Sequence, residues 1–350
     1  METQVGTPQP LAVTVRWIPD AEVSLCCNCE LLFDWMHRKH HCRYCGNVFC
    51  DRCTLQRSLI PEHQILSGSE CKYLAVNAHN PQRVCDKCYA RLEPQQEELR
   101  ITMSHAVQAT EVKVATSQRL VSSPYSYTLK EEIVKATYSL KNFTSSGSVK
   151  NQSIPLPLLT HAKGIAFLTV IKMGFVFTGR MGTGLVAARL ADGRWSAPSA
   201  IATAGVGWGA QIGGEITDFV IILNTQRAVE AFCASGQVNL GAELGVSAGP
   251  VGRVASGVLE ASSAMDVAPC YSYSYSKGLF AGISLEGSVI LARPDINRSF
   301  YGKAVSVADL LGGVESPPVA AAPLYDAIRG ATESPANAGT RVVLSSPILD

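Results

Sequence analysis

The chain has 350 residues, 47% of them hydrophobic, with a formal net charge of +1. Such a length suits two or three domains able to bury a sizeable core. A near-neutral charge supplies no global field to attract nucleic acid or an anionic surface, so any anion binding must be local.

Residues 1–12 read as a short disordered tail. Met1-Glu2-Thr3-Gln4 is acidic and polar rather than basic then apolar, so it does not read as a secretion leader. Glu2 stands where N-myristoylation needs a glycine, and Pro347-Ile348-Leu349-Asp350 offers no prenylation cysteine. The longest uncharged run, Trp195 to Gly214, is full of Gly, Ser and Thr and would make a poor transmembrane helix. Contact with a membrane is therefore expected at its surface.

Ten of the twelve cysteines fall between Cys26 and Cys88. The pairs Cys26/Cys29, Cys42/Cys45, Cys50/Cys53 and Cys85/Cys88 have metal-ligand spacing, and point to zinc in a reducing compartment rather than to disulfides. Eight thiolates make two closed, structural sites, hence two zinc ions and no open position for catalysis. A region this small has little core, so the metal should supply much of its folding free energy. Cys27 and Cys71 read as spare thiols, with Cys27 an alternative ligand to Cys26.

Around Cys42 the chain reads Arg38-Lys39-His40-His41-Cys42-Arg43. Cations beside a thiolate-zinc site do not help hold the metal; they suit an anion. Arginine gives forked, charge-assisted donors and histidine adds directional N–H groups, which together fit a phosphomonoester. With Trp17-Ile18-Pro19-Asp20 before it and Arg83-Val84-Cys85 after it, this run resembles the three signature motifs of FYVE zinc fingers over about residues 13–92. That resemblance implies a cross-brace fold of two short β-hairpins and a C-terminal helix, and binding to phosphatidylinositol 3-phosphate on endosomal membranes. It implies Cys26, Cys29, Cys50 and Cys53 on one zinc and Cys42, Cys45, Cys85 and Cys88 on the other. Arg38, Lys39, Arg43 and Arg83 would meet the 3-phosphate and the diester phosphate. His40 and His41 would donate to phosphate or inositol hydroxyls, Asp20 would accept a hydroxyl or orient a histidine, and Trp17 would pack under the site.

By position, Asp34-Trp35-Met36-His37 corresponds to that family's membrane-penetrating loop. Trp35 and Met36 are the types that suit a bilayer interface, the lesser alternative being that Trp35 fills a small core. Leu32 and Phe33 are assigned to the core. The spacing from Cys53 to Cys85 exceeds the family's usual one, and Pro61 to Pro81 reads as an inserted loop, tolerable at small entropic cost. Residues 93–125 read as a polar, partly helical linker.

From about residue 126 to 304 an α+β domain is expected. Leu129, Ile133, Ala136, Leu140 and Phe143 recur at helical spacing with Lys130, Lys135 and Lys141 between them, giving an amphipathic helix that either lies on a membrane or seals a core. Glycine-punctuated runs follow (164–171, 174–178, 185–190, 219–224 and 278–292) and predict a bent sheet or partial barrel. Ala162-Lys163-Gly164, Trp195-Ser196-Ala197-Pro198-Ser199 and Gly213-Gly214-Glu215-Ile216-Thr217-Asp218 resemble the SYLF lipid-binding module. That implies phosphoinositide binding, for which the three lysines would form a second lipid surface, or binding to actin. Glu215, Asp218 and Glu286 are isolated carboxylates rather than a catalytic pair. The glycines of 205–209 lack the Lys-Ser/Thr of a phosphate loop. Residues 305–350, rich in Pro, Ala and Ser, read as disordered, with Leu324 to Ile328 a lone apolar island.

The expected protein is a non-enzymatic, peripheral membrane adaptor in endocytic trafficking. It would sit in the cytoplasm and on the cytoplasmic face of endosomes, with anionic lipids, and actin or an endocytic protein, as partners and no nucleic acid. The rival is a RING-like cross-brace ubiquitin ligase, disfavoured because RING frameworks typically place a histidine among the ligands.

Overall fold

A computed structural model describes residues 16–67, 77–112, 122–144, 154–233, 238–240, 243–255 and 270–333. The chain divides into two compact units, Met1–Ser104 and His105–Asp350.

In the first unit, β1 (His40–His41) pairs with β2 (Val48–Phe49), and β3 (Arg57–Ser58) with β4 (Gln82–Arg83), both antiparallel. Gly46 closes the turn between β1 and β2 at φ +77°, where a side chain would strike the Arg16 carbonyl. Helix α1 (Asp86–Leu92) starts directly after Cys85. The core is small: Val48, Leu59, Ile60, Val84 and Leu92 are fully buried, and Ile60, Val84 and Leu92 cluster with the thiols. Helix α2 (Gln96–Met103) follows and is part of this unit rather than a linker. Gln96 accepts from the Leu59 N–H and donates to the Leu59 carbonyl, each at 3.0 Å, and Leu99 is buried. The expected linker of 93–125 is thus cut back from its start. Residues 113–121 lie outside the described residues, as do 1–15 and, in the insertion, 68–76.

The second unit begins with α3 (Leu129–Thr144) and α4 (Leu156–His161). Long strands follow where short runs were expected: β5 (Gly164–Ala188) and β6 (Ser199–Leu223), then helix α5 (Gln226–Cys233). Next come β7 (Val238–Leu240), β8 (Glu243–Ala255) and β9 (Cys270–Ala292). The strand order is β5-β6-β9-β7, all antiparallel, with β8 also on β9. The glycines of 205–209 lie inside β6, which rules out a phosphate loop there.

The sheet is bent because β5 doubles back on itself. The Arg189 N–H donates to the Lys163 carbonyl at 2.7 Å, joining its two ends. Side chains on Gly182 and Gly184 would collide with the Thr169 and Phe167 carbonyls of the same strand. The reversal falls at Gly174 to Phe177, where Gly174 has φ +154° and Val176 φ +60°.

Alternation along the strands serves two cores. Ile165, Phe167, Leu185, Val220 and Ile222 face α3 and two C-terminal helices, α6 (Pro294–Tyr301) and α8 (Ala322–Glu333). Ala166, Leu168, Val186, Ile221 and Leu223 face α5 and α7 (Val307–Leu311). This corrects two expectations. Residues 307–333 are folded rather than disordered: Leu324, Ala327, Ile328 and Ala331 give α8 a buried face, so the apolar island is core. The Tyr325 hydroxyl donates to the Ser196 carbonyl at 2.8 Å, tying α8 to the segment that enters β6. The domain therefore runs beyond residue 304. Of the two readings of α3, the structure takes the second: Leu129, Ile133, Ala136 and Leu140 are fully buried and seal the core.

Candidate zinc and anion-binding sites

The cysteines gather into two tetrads, Cys26, Cys29, Cys50 and Cys53, and Cys42, Cys45, Cys85 and Cys88, with the sulfurs of each within 4.8 Å of one another. Each tetrad is able to hold one zinc ion. The chemistry of the thiols fits a dication. Hydrogen bonds from Cys45, Cys85 and Cys88 drive the Cys42 thiol far below the usual range, while the same crowding by Cys42, Cys45 and Cys85 pushes Cys88 far above it. Four such sulfurs ionise together only around a metal. Cys27 is exposed and belongs to neither tetrad. No histidine joins either set, which removes the RING reading.

The basic run leads into β1 and on through the turn after it, where Arg43 meets β4. The Arg43 N–H donates to the Arg83 carbonyl at 2.9 Å, bringing two expected anion contacts together from residues far apart in sequence. Arg83 donates to Asp51 at 2.8 Å and to the Thr54 hydroxyl at 3.2 Å, and His40 Nε2 stands 3.7 Å from Asp51. Burial, then the charge of Arg83, lowers the pKa of His40, with Asp51 opposing and Arg38 and Arg57 adding to the effect. Arg57 was missed in the sequence. It is the cross-strand partner of Arg83, and only the pairing of β3 with β4 reveals it.

His41 faces the other way. Its ring stacks on Trp17 with centroids 3.8 Å apart and planes 11° apart, and Arg43 covers the same indole at 4.6 Å. His41 Nε2 lies 2.7 Å from the Ile18 carbonyl, so that nitrogen carries the proton, and Nδ1 is 3.8 Å from Asp20. Lys39 donates to the Asp20 carbonyl at 2.6 Å. Trp17, Asp20 and His41 therefore form the latch that fixes the N-terminal segment against the basic run.

Trp35 is 84% exposed and Met36 67%, so Trp35 does not fill the core. Their loop is held by Asp34, which accepts from the Met36 N–H at 2.8 Å and the His37 N–H at 2.6 Å. Leu32, assigned to the core from sequence, is also exposed, whereas Leu31 and Phe33 pack inward. The described end of the insertion returns to the cluster through the Leu66 N–H, which donates to the Arg43 carbonyl at 2.8 Å.

Two family models match, the FYVE zinc finger over residues 16–94 and Ysc84, "Las17-binding protein actin regulator", over residues 204–331. The chain carries a FYVE zinc finger and a Ysc84 domain. An SH3 domain-containing protein of Schizosaccharomyces pombe is 49% identical over 205 residues, 58% of this chain and 47% of that one. LAS seventeen-binding protein 3 of Saccharomyces cerevisiae is 46% identical over 223 residues, 63% of this chain and 48% of its own. SH3 domain-containing YSC84-like protein 1 of Homo sapiens is 44% identical over 224 residues, 63% of this chain and 65% of its own. The chain thus spans about half the length of these fungal relatives.

In the Ysc84 domain the three lysines do not form one exposed surface. Lys135 is largely buried, pairs with the buried Glu132 at 2.9 Å and donates to the Ser123 carbonyl at 3.1 Å. Lys130 donates to Gln108 at 3.2 Å, and burial lowers its pKa. Lys141 alone of the three is exposed. The reason is that α3 seals a core, so its flanking lysines reach across to neighbouring segments. Asp218 is a structural acceptor, taking the Thr169 hydroxyl at 2.7 Å. No described helix is long and apolar enough to cross a membrane.

Proposed function

We propose that this protein is a non-enzymatic peripheral adaptor of endosomal membranes, in which the FYVE finger binds phosphatidylinositol 3-phosphate and the Ysc84 domain engages the actin machinery. The observation that carries the first half is the backbone junction of Arg43 with Arg83, which gathers Arg38, Arg57 and Arg83 about His40 and leaves Arg43 and Lys39 on the neighbouring Trp17–Asp20 side. Guanidinium forks at that density suit a phosphomonoester together with a diester. His41 and Asp20 act as positioning residues, and Trp35 and Met36 enter the bilayer beside the captured headgroup, with other anionic lipids adding weak attraction. The second half is supported by relatives named for binding Las17 and by a family described as an actin regulator. Las17-like proteins, actin or another endocytic component are the partners to test, by co-sedimentation with filaments.

The test of the lipid half is flotation of the full chain on vesicles bearing each phosphoinositide in turn. Arg43→Ala removes a charge-assisted contact of roughly 1.5–3 kcal/mol, about ten- to a hundredfold in affinity. Its zinc content stays at two ions per chain. Unchanged binding to phosphatidylinositol 3-phosphate vesicles refutes the reading.

A further inference from the structure

At the far end of the Ysc84 sheet, around the reversal of β5, polarity runs opposite to that of a water-exposed sheet. Met173, Phe175, Phe177, Met181, Val206 and Trp208 point outward, each between 54% and 73% exposed. The other face buries Lys172, Arg180 and Glu215, all at 8% exposure or less, with Thr178, Thr203 and Ser288. The register explains the inner row: Lys172 lies opposite Glu215, Arg180 opposite Gly205, and Gly205 opposite Ser288. Because Gly174 meets Thr178 and Gly182 meets Val170 on the doubled strand, Lys172 falls beside Arg180.

In water this arrangement is unfavourable, since it leaves a row of aromatic and thioether side chains wet. In hydrocarbon the same alternation, apolar out and polar in, is the stable one. We propose that this end of the sheet inserts into one leaflet of a lipid bilayer.

Two observations favour hydrocarbon over a protein partner. Residues 173–182 and 204–214 contain one charged side chain, Arg180, and it faces inward. The six outward side chains hold a single hydrogen-bonding group, the Trp208 indole N–H, whereas protein interfaces carry about one hydrogen bond per 100–200 Å² and a polar rim. Indole suits the depth at which an apolar surface meets the headgroups. Among the described residues the helices stop short of this region: the face covered by α3 and α8 at Ile165, Phe167 and Leu185 passes through a polar belt, Thr169, Thr183 and Asp218, before it turns apolar and exposed. This surface is separate from the finger and does not depend on its headgroup.

The test uses the full chain with phosphatidylcholine/phosphatidylserine vesicles lacking any phosphoinositide, some prepared with brominated acyl chains. Bromine should quench tryptophan emission, and Trp208→Phe should remove most of that quenching while Trp35→Phe leaves a quenched signal behind. Phe177→Asp should weaken vesicle partitioning by about tenfold or more, as expected for charge placed in hydrocarbon. If that variant melts early, Phe175→Ser at the exposed turn takes its place, with a smaller loss expected. Trp208 left unquenched, or partitioning unchanged in a stably folded variant, overturns the proposal. So does light scattering that shows Phe177→Asp splitting a dimer while vesicle binding stays the same, since a second copy then covers the patch. Failure of phosphatidylinositol 3-phosphate recognition alone leaves these readouts unaffected.

Discussion

Asp51 grips Arg83 at 2.8 Å in the middle of a basic cluster, with His40 3.7 Å away on the same carboxylate. The guanidinium holds Asp51 below the usual carboxylate range. An acidic group here competes with an incoming phosphate for the same donors. Asp51→Asn should therefore tighten binding to phosphatidylinositol 3-phosphate vesicles. An exposed ion pair is worth up to about 1 kcal/mol, so the gain should be roughly two- to fivefold. Weaker binding would show that Asp51 positions Arg83 instead of competing for it.

The exposed loop should act separately from the headgroup site. Trp35→Ala with Met36→Ala should weaken vesicle binding while leaving affinity for a soluble inositol bisphosphate headgroup unchanged. Adding Leu32→Ala should deepen the vesicle loss, because that side chain is exposed on the same segment. Equal losses in both assays would mean that the loop shapes the headgroup pocket.

Zinc removal should unfold one unit and spare the other. Structural zinc contributes on the order of 10–16 kcal/mol to folding in small fingers, and the core around the tetrads is small. With a strong chelator, calorimetry should lose the finger transition and keep that of the Ysc84 domain. Loss of both would mean that the two units melt as one.

The C-terminal helix is a structural member. Leu324 is fully buried, so Leu324→Ala should cost about 2–5 kcal/mol. Tyr325→Phe, which strands the Ser196 carbonyl, should cost about 1–3 kcal/mol. Deletion from residue 317 onward should abolish the cooperative transition of this unit. A truncated chain that melts normally would return α8 to the status of a tail.

Asp218 should leave a signature in pH. Burial raises its pKa, partly countered by the Thr169 hydroxyl, the Ser122 N–H and the charge of Lys135. The folded state then holds this proton more tightly than the unfolded chain does, so stability falls as pH rises from the ordinary aspartate value through the raised one. Asp218→Asn should flatten the melting temperature across that window. An unchanged slope would assign the pH dependence to other groups.

The zinc ligands and the basic run were legible in the sequence because both are local. A Cys-x-x-Cys turn presents two thiolates whatever surrounds it, and six consecutive residues fix the composition of the anion site. The pairing of the tetrads, implied by the family resemblance, agrees with the sulfur clusters. What the tertiary structure decided was non-local. Arg57 joins the site only through its pairing with Arg83, and the Ile18 carbonyl accepts the hydrogen bond of His41 Nε2 only once the N-terminal segment docks. Leu32 turns outward although its composition suits a core, and Lys135 turns inward to Glu132 although its composition suits a surface. The Pro- and Ala-rich C-terminal segment hid a core helix because small apolar residues carry little hydrophobic signal each, yet pack closely where a complementary face exists. The reversed polarity of the β5 end was equally hidden. Alternation along a strand distinguishes two faces, but which of them meets water is settled only when the strand folds back and the helices choose a side.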